Sequence, residues 1–170
     1  MPARFWLLSA ACAVLPDADV IGLFFGIRYG DTLGHRGLTH SLAFAAAVGI
    51  TVALVFFREA RVTTGCGRVT LALYFAAVTA SHGWLDALTD GGLGVAFFAP
   101  FDAGRYFLPW TPIKVSPIGA DFFGERGWRV LASEFRWVWL PSLALVAAVW
   151  ASRKLVQSPA GGGKPNVNGS

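Results

Sequence analysis

Residues 35–57, HRGLTHSLAFAAAVGITVALVFF, join two histidines to an apolar run that extends from residue 38 to residue 57. This run contains no aspartate, glutamate, lysine or arginine, and a helix of about 20 such residues crosses the hydrocarbon core of a bilayer. The chain of 170 residues is 55% hydrophobic and only 14% charged, whereas about a quarter of the residues in a typical soluble domain are charged. The sequence therefore predicts a membrane protein with histidines at the end of a spanning helix.

Three further apolar segments indicate the same class of protein. Residues 69–88 form a run of similar length, and residues 135–151 contain tryptophans, which favour the membrane interface. Residues 5–15 end at Pro16 and are too short to span unless residues 20–27 continue the helix. A helix broken at this proline and a start placed too far downstream both remain open. We predict an all-α fold, a polytopic transmembrane helical bundle with about four membrane segments.

A long connection, residues 91–134, precedes the last apolar segment. It is rich in aromatic residues and proline, with FFAPFDAGRYFLPWTPIKVSPIGADFFGERG at its centre, and so long a connection is usually functional or disordered. The aromatic residues favour an ordered structure, either an anchor at the membrane interface or a lid over a site. We expect residues 1–157 to form one membrane-embedded domain with a metal site, and the polar residues 158–170 to form a disordered tail.

All three histidines of the chain lie near the ends of apolar segments, each with an aspartate close by. Ionisable side chains are costly inside a membrane and therefore indicate a functional site. His82 and Asp86 are four residues apart and share one face of a helix. If the segments cross the membrane alternately, the aspartates after the first segment and the other two histidines reach the same membrane face. The candidate metal ligands are Asp17, Asp19, His35, His40, His82 and Asp86.

This ligand set predicts a divalent metal cofactor, zinc or manganese, because imidazole and carboxylate groups suit these ions. A catalytic zinc ion usually has three protein ligands and one open position for water. Six candidates exceed that requirement, so either two ions are present or some candidates only orient the others. A single histidine near a helix end often has only a structural role. Three such histidines beside aspartates favour the metal site.

Other charged residues are candidates for catalysis. Asp90 continues the helical stripe of His82 and Asp86, and we predict that it accepts a proton as a general base. In the aromatic connection, Arg105 or Lys114 offers positive charge to an anionic substrate.

Some classes of function are disfavoured. The net charge is +4, but no basic stripe alternates with exposed aromatic residues, so nucleic-acid binding is not expected. The cysteines, Cys12 and Cys66, form neither a zinc motif nor a disulfide framework. The expected partners are membrane lipid and a small-molecule or lipid substrate.

Three motifs carry a resemblance to a known family: LPDAD at residues 15–19, HRGLTHS at 35–41 and HGWLDALTDGG at 82–92. In this order they resemble bacterial inner-membrane proteins known as membrane-bound metal-dependent hydrolases, a group with LexA-regulated members. The resemblance covers about residues 14–145, including PFDAGRYFLPWTPIKVSPIG and LASEFRWVWLP. It implies a multi-pass protein of the inner membrane with its metal ligands in these motifs. Such families usually begin with a Thr-His pair on the first helix, and this chain has no histidine there.

The resemblance implies an integral membrane hydrolase in which metal-activated water attacks a phosphoester or lipid-like substrate. The HxxxD helix is also similar to that of zinc-dependent phospholipases. The alternative is a non-enzymatic membrane protein that binds or transports a divalent metal. A transporter is expected to place its polar ligands near the middle of the bilayer. The candidate ligands of this chain cluster near the segment ends, which favours the hydrolase.

The apolar segments predict an integral membrane protein. Extraction of cell membranes with alkaline carbonate is expected to leave the chain in the membrane pellet, because buried apolar helices are not released by loss of electrostatic contacts. Recovery of the chain in the soluble fraction would contradict the prediction.

Overall fold

The computed structural model describes residues 1–58, 66–117 and 119–157 of the chain. The regular structure of these residues is helical, and their β-bridges are the isolated pairs Thr89–Ile113 and Val95–Tyr106. The prediction of an all-α fold is confirmed. The predicted disordered tail, residues 158–170, lies outside the described residues.

The chain divides into two compact units, Met1–Pro117 and Ile118–Ser170. The prediction of one domain over residues 1–157 stays a prediction. The described helices of the first unit are α1 (Ala3–Val14), a 3-10 helix (Leu15–Val20), α2 (Ile21–Phe24), a second 3-10 helix (Leu38–His40), α3 (Leu42–Phe56) and α4 (Arg68–Ala87). Those of the second unit are a 3-10 helix (Ala120–Phe123), α5 (Glu125–Glu134), a π-helix (Phe135–Trp139) and α6 (Leu140–Gln157).

The helices of the first unit follow the predicted apolar segments closely. Helix α3 begins a few residues later than the apolar run because Ser41 caps it, with its hydroxyl accepting a hydrogen bond from the Phe44 N–H at 3.1 Å. Helix α1 continues through the first 3-10 helix into α2, so Ala3–Phe24 is one helical run of 22 residues. Pro16 is tolerated because it lies at the start of the 3-10 helix, where its missing N–H has no helical partner to bond.

The described residues contain fewer candidate membrane spans than the sequence predicts. Among the described residues, two helices are both long and apolar enough to cross a membrane, Ala3–Phe24 and Glu125–Val156. Helix α3 has 15 residues, fewer than the 17 or so that a spanning helix needs. Two candidate spans are therefore present, and a bundle of four spans is not confirmed.

The core of the first unit joins α1, α3 and α4. A methyl group at Gly49 of α3 would lie 2.3 Å from the carbonyl oxygen of Ala72 in α4, so a residue without a side chain is needed where these two helices touch. The rings of Phe57 and Phe75 stack with their centroids 5.6 Å apart. The buried cluster consists of Phe5, Cys12, Val52, Ala53, Phe57, Leu71 and Phe75.

The outward faces of the same helices are also apolar. The exposed side chains include Trp6 and Leu7 of α1, Ile50 and Leu54 of α3, and Val69 and Leu73 of α4. Soluble monomers rarely expose apolar surface on this scale, and helices that are apolar on every side belong in a membrane or a large core. The first unit therefore has the surface of a protein that contacts lipid.

The first part of the aromatic connection is ordered by backbone hydrogen bonds. The Leu42 N–H at the start of α3 donates to the Phe97 carbonyl at 3.0 Å, and the Leu108 N–H donates to the Ala87 carbonyl at the end of α4 at 2.9 Å. Buried side chains of this stretch, among them Val95 and Phe97, pack below it. The connection is thus fixed against the ends of two helices.

Residues Glu125–Val156 of the second unit form one continuous helical run. Helix α5 begins at Glu125, so the loop predicted for residues 91–134 ends earlier than expected. The cause is the helical spacing of Trp128, Leu131 and Phe135 within an otherwise polar segment. The π-helix lies just before Pro141, whose ring cannot donate the usual hydrogen bond and displaces the preceding turn.

The contact at Gly49 predicts a stability effect. Gly49→Ala is expected to destabilise the protein by about 1–3 kcal/mol, because the added methyl group meets the α4 backbone and forces the helices apart. The measurement is the thermal unfolding midpoint of the purified full-length chain in detergent. Gly67→Ala is the matched control, since a methyl group at Gly67 would meet no described residue within 4 Å. Equal unfolding midpoints for the two variants would show that the close contact at Gly49 does not determine the stability of the protein.

Candidate metal centre

The structure brings the six predicted ligands together, although they come from three elements separated in sequence. These elements are the 3-10 helix after α1, the segment before α3, and the last two turns of α4. In that order they contribute Asp17 with Asp19, His35 with His40, and His82 with Asp86. Ligand atoms of all six residues fall within two overlapping groups that share His40.

Four of the six residues form the centre of this cluster. His82 Nε2 lies 3.1 Å from Asp17 Oδ1, and His40 Nε2 lies 3.2 Å from Asp86 Oδ2. The two remaining nitrogen–oxygen distances, from His40 to Asp17 and from His82 to Asp86, are 3.7 and 3.8 Å. Four ligands placed tetrahedrally at zinc–ligand distances of about 2.0–2.1 Å lie about 3.3 Å from one another. The four donor atoms can therefore surround one divalent ion.

Both central histidines are oriented through Nδ1. His82 Nδ1 lies 2.9 Å from the carbonyl oxygen of Ala13, and this nitrogen carries the proton because a carbonyl can only accept. His40 Nδ1 lies 3.0 Å from Thr39 Oγ1, whose hydroxyl already donates to Asp19 at 2.6 Å, so this nitrogen donates as well. Histidines that bind metals commonly donate their second ring N–H in this way. Each Nε2 is left with a lone pair for the cluster.

Three buried polar atoms of the centre have no hydrogen-bond partner among the described residues. They are His40 Nε2, His82 Nε2 and Asp86 Oδ2. Each unpaired buried polar atom costs about 1–3 kcal/mol of stability, and native proteins leave few of them. A cation bound between these atoms satisfies all three at once.

Asp19 and His35 support the centre from one side. Asp19 accepts hydrogen bonds from His35 Nδ1 at 2.7 Å, from the Arg36 N–H at 3.2 Å and from Thr39 Oγ1 at 2.6 Å. Asp19, His35 and His40 also lie close enough together to hold an ion. Because their facing atoms are already hydrogen bonded, we interpret Asp19 and His35 as residues that orient His40. This is one of the two alternatives that the sequence leaves open.

Arg36 is a functional candidate that the sequence analysis missed. Its side chain is only 4% exposed, and it donates to Asp86 Oδ1 at 3.2 Å, to Thr89 Oγ1 at 3.0 Å and to the Gly91 carbonyl at 2.9 Å. Its backbone has a φ of +62°, a left-handed conformation that is uncommon for residues other than glycine. The available signal was an arginine between the two histidines of HRGLTHS, a position where a charge is costly unless it is paired.

The charge of the cluster depends on the protonation of its two central histidines. Asp17, Asp19 and Asp86 bring three negative charges, and Arg36 brings one positive charge. Two protonated rings, which lie 3.1–3.8 Å from the carboxylates, balance the remaining two negative charges without an ion. A divalent cation that replaces both ring protons brings the same charge, and a buried site of this kind needs one compensation or the other.

The two residues predicted to be catalytic are not brought into the centre. The Asp90 carboxylate binds Lys114 Nζ at 2.6 Å and the Val115 N–H at 3.0 Å, and the Lys114 ammonium lowers the pKa of Asp90 below its usual range. Arg105 donates to the carbonyls of His35, Tyr29 and Asp31 at 3.0–3.2 Å. Arg105 thus holds the loop that carries His35.

Two roles stay predictions: that Arg105 offers positive charge to an anionic substrate, and that Asp90 accepts a proton as a general base.

Comparison with known proteins gives a consistent result. The sequence profile of a family described as YdjM inner membrane protein matches residues 2–157 of the chain. The chain is also similar to the inner membrane protein YbcI of Escherichia coli strain K12, with 37% identity over 155 residues, which cover 91% of this chain and 87% of that protein. No solved structure matches the chain.

The geometry predicts different effects for the two kinds of histidine. His82→Ala is expected to abolish metal binding, because it removes one of the four central donors. His35→Ala is expected to weaken binding about 10–100-fold, as loss of an orienting residue typically does. Metal titration of the purified full-length variants, with folding checked by circular dichroism, gives both values. Unchanged metal content in folded His82→Ala would remove His82 from the site, and Cys66→Ser should bind metal like the wild type.

Proposed function

The chain belongs to the YdjM family of inner membrane proteins, and from this premise we propose that it is a metal-dependent hydrolase of the bacterial inner membrane. The observation that carries the proposal is the set of three buried, unpaired donor atoms on His40, His82 and Asp86. Resting proteins rarely keep such atoms without a ligand. Their donor types, two imidazoles and a carboxylate, suit zinc or manganese.

In the proposed site His40, His82 and Asp86 would hold the ion, and the fourth position, beside Asp17, would be left for water. The Asp17 side chain is 52% exposed, whereas that of His40 is fully buried. The surface side of the cluster is therefore the side from which a water molecule and a substrate reach the ion. A divalent ion at this position lowers the pKa of bound water and polarises the bond to be broken.

The residues of the cluster have different roles in the proposed hydrolysis. Nδ1 of His40 and Nδ1 of His82 each donate a hydrogen bond to a fixed acceptor, so the ring nitrogen that is available to the ion is Nε2 in both residues. Asp17 reaches both the ligand cluster and the surface, so it is better placed than Asp90, which is paired with Lys114, to take the proton of the attacking water.

For a phosphoester, the water oxygen forms a bond to phosphorus and the bond from phosphorus to the leaving oxygen breaks. Asp17 passes the proton to that leaving oxygen. The substrate class is therefore a small-molecule or lipid-like phosphoester.

The second candidate function is metal binding or transport without catalysis. Carriers place their ion sites near the middle of the membrane, where both sides can reach them in turn. In this chain Asp86 lies in the last turn of α4, and His40 lies two residues before α3 begins. The centre is thus at the ends of helices, and this position favours the hydrolase.

The test uses purified full-length protein that is stripped of metal and reloaded with zinc or manganese. We expect metal-dependent hydrolysis in a panel of phosphomonoesters, phosphodiesters and phospholipids. Asp86→Asn should lose metal and activity together, because Asp86 supplies a central oxygen.

The matched control is Asp102→Asn, since the Asp102 carboxylate bonds, among the described residues, within its own loop, to the Gly104 N–H and the Tyr106 hydroxyl. Bound metal without any turnover would favour the non-enzymatic function, and failure to bind metal would reject both.

A further inference from the structure

The central ligands differ sharply in their access to the surroundings. Asp17 has half of its side chain exposed, while His82 and Asp86 each have 18% exposed and His40 has none. On the opposite side, Arg36 covers the second oxygen of Asp86. The cluster therefore has one open side, which is the side of Asp17.

This open side lies on a helical run that is suited to the membrane. Asp17 belongs to Ala3–Phe24, one of the two candidate spans among the described residues. It precedes Phe24 by seven residues (24 − 17), a distance of about 10 Å along a helix. The run as a whole is about 33 Å long, close to the hydrocarbon thickness of about 30 Å. Asp17 thus lies about two thirds of the way along the run, nearer to its Phe24 end than to its start.

The rim of the open side is apolar. Val14 and Ile21, about one turn before and after Asp17, are exposed on the same run, and Leu85, one turn after His82 on α4, is also exposed. The side of the cluster next to Arg36 is covered by the aromatic connection. The backbone N–H of Ala96 donates to the Arg36 carbonyl at 3.0 Å and holds the connection against that residue. A water-soluble substrate gains nothing from such a rim, whereas a lipid can place its chains along it.

We propose that the metal centre opens sideways into the bilayer and that its substrate is a membrane phospholipid. The phosphoester of the lipid reaches the ion beside Asp17, while its acyl chains lie against Val14, Ile21 and Leu85. This inference rests on the proposed function for its chemistry, but the direction of the opening rests on exposure and position alone. It narrows the substrate from phosphoesters in general to lipids within the membrane.

The direction of the opening can be tested without any metal. The full-length chain is placed in lipid nanodiscs after Cys12→Ala and Cys66→Ser, and a spin label is attached at Val14→Cys or at Leu85→Cys. Collision rates with oxygen, which concentrates in lipid, and with a water-soluble nickel chelate are compared. Leu73→Cys on the exposed middle of α4 is the lipid reference, and Thr32→Cys on the exposed loop before His35 is the water reference.

We expect Val14 and Leu85 labels to resemble the Leu73 label, with an oxygen-to-nickel ratio several-fold above that of Thr32. Ratios equal to that of Thr32 would overturn the sideways opening, whatever the metal experiments show. This result is independent of the proposed function, because the label reports only the surroundings of the rim.

Access of lipid to the ion is tested with manganese. The wild-type chain is loaded with Mn²⁺ in the nanodiscs, and phosphorus relaxation is measured for the lipid phosphates and for added inorganic phosphate. We expect the lipid signal to relax several-fold faster than with His82→Ala, and free phosphate to be little affected. Enhanced relaxation of free phosphate alone would overturn the proposal. Absence of bound Mn²⁺ in the wild type would reject the proposed function, and the spin-label ratios would then decide the opening alone.

Discussion

The first unit depends on the compensation of negative charge in a buried place. Three aspartates meet beside one guanidinium, that of Arg36, and two imidazole rings. The removal of such a cluster of charged side chains from water is tolerated only when each charge has a partner. Parts of this cluster come from three segments: the turn after α1, the loop before α3 and the end of α4. The cluster therefore fixes the positions of these segments relative to one another. A change in any one of them leaves charges in the other two without partners.

Close approach of the helices makes this convergence possible. A methyl group at Gly49 would meet the backbone of α4, and one at Gly83 would lie 2.9 Å from the carbonyl oxygen of His40. Gly83 directly follows His82, so the same turn of α4 that carries a ligand also presents its backbone to the turn that carries the other histidine. Small residues at helix contacts are common in membranes, where packing replaces the hydrophobic effect as the force between helices. Two glycines of this chain thus set the distance between its central histidines.

Much of this arrangement could be predicted from the sequence, for a physical reason. A membrane tolerates few ionisable residues, so Asp17, His40 and His82 stand out from an apolar background, and the apolar runs locate α3 and α4 within a few residues. Which of the six residues face a possible ion and which only orient the others could not be predicted. Whether Asp19 binds an ion or accepts N–H groups depends on the left-handed backbone at Arg36, which no spacing rule encodes. The length of α3 could not be predicted either, because hydropathy does not fix where a cap such as Ser41 begins a helix.

The position of Asp17 links ion binding to the stability of the membrane-embedded protein. A carboxylate on the exposed side of a span is costly next to lipid, and an ion that accepts its charge removes most of that cost. An ion that binds only the folded arrangement of the cluster would stabilise the fold by about 2.7 kcal/mol when its free concentration is 100 times its dissociation constant. The central histidines and aspartates therefore have two roles that cannot be separated by removing them, one in the proposed chemistry and one in the fold. Residues at the rim, such as Val14 and Leu85, have no such double role, because they contact neither the charged groups nor the ion. Substitutions at these positions can therefore change substrate selection without loss of the metal centre.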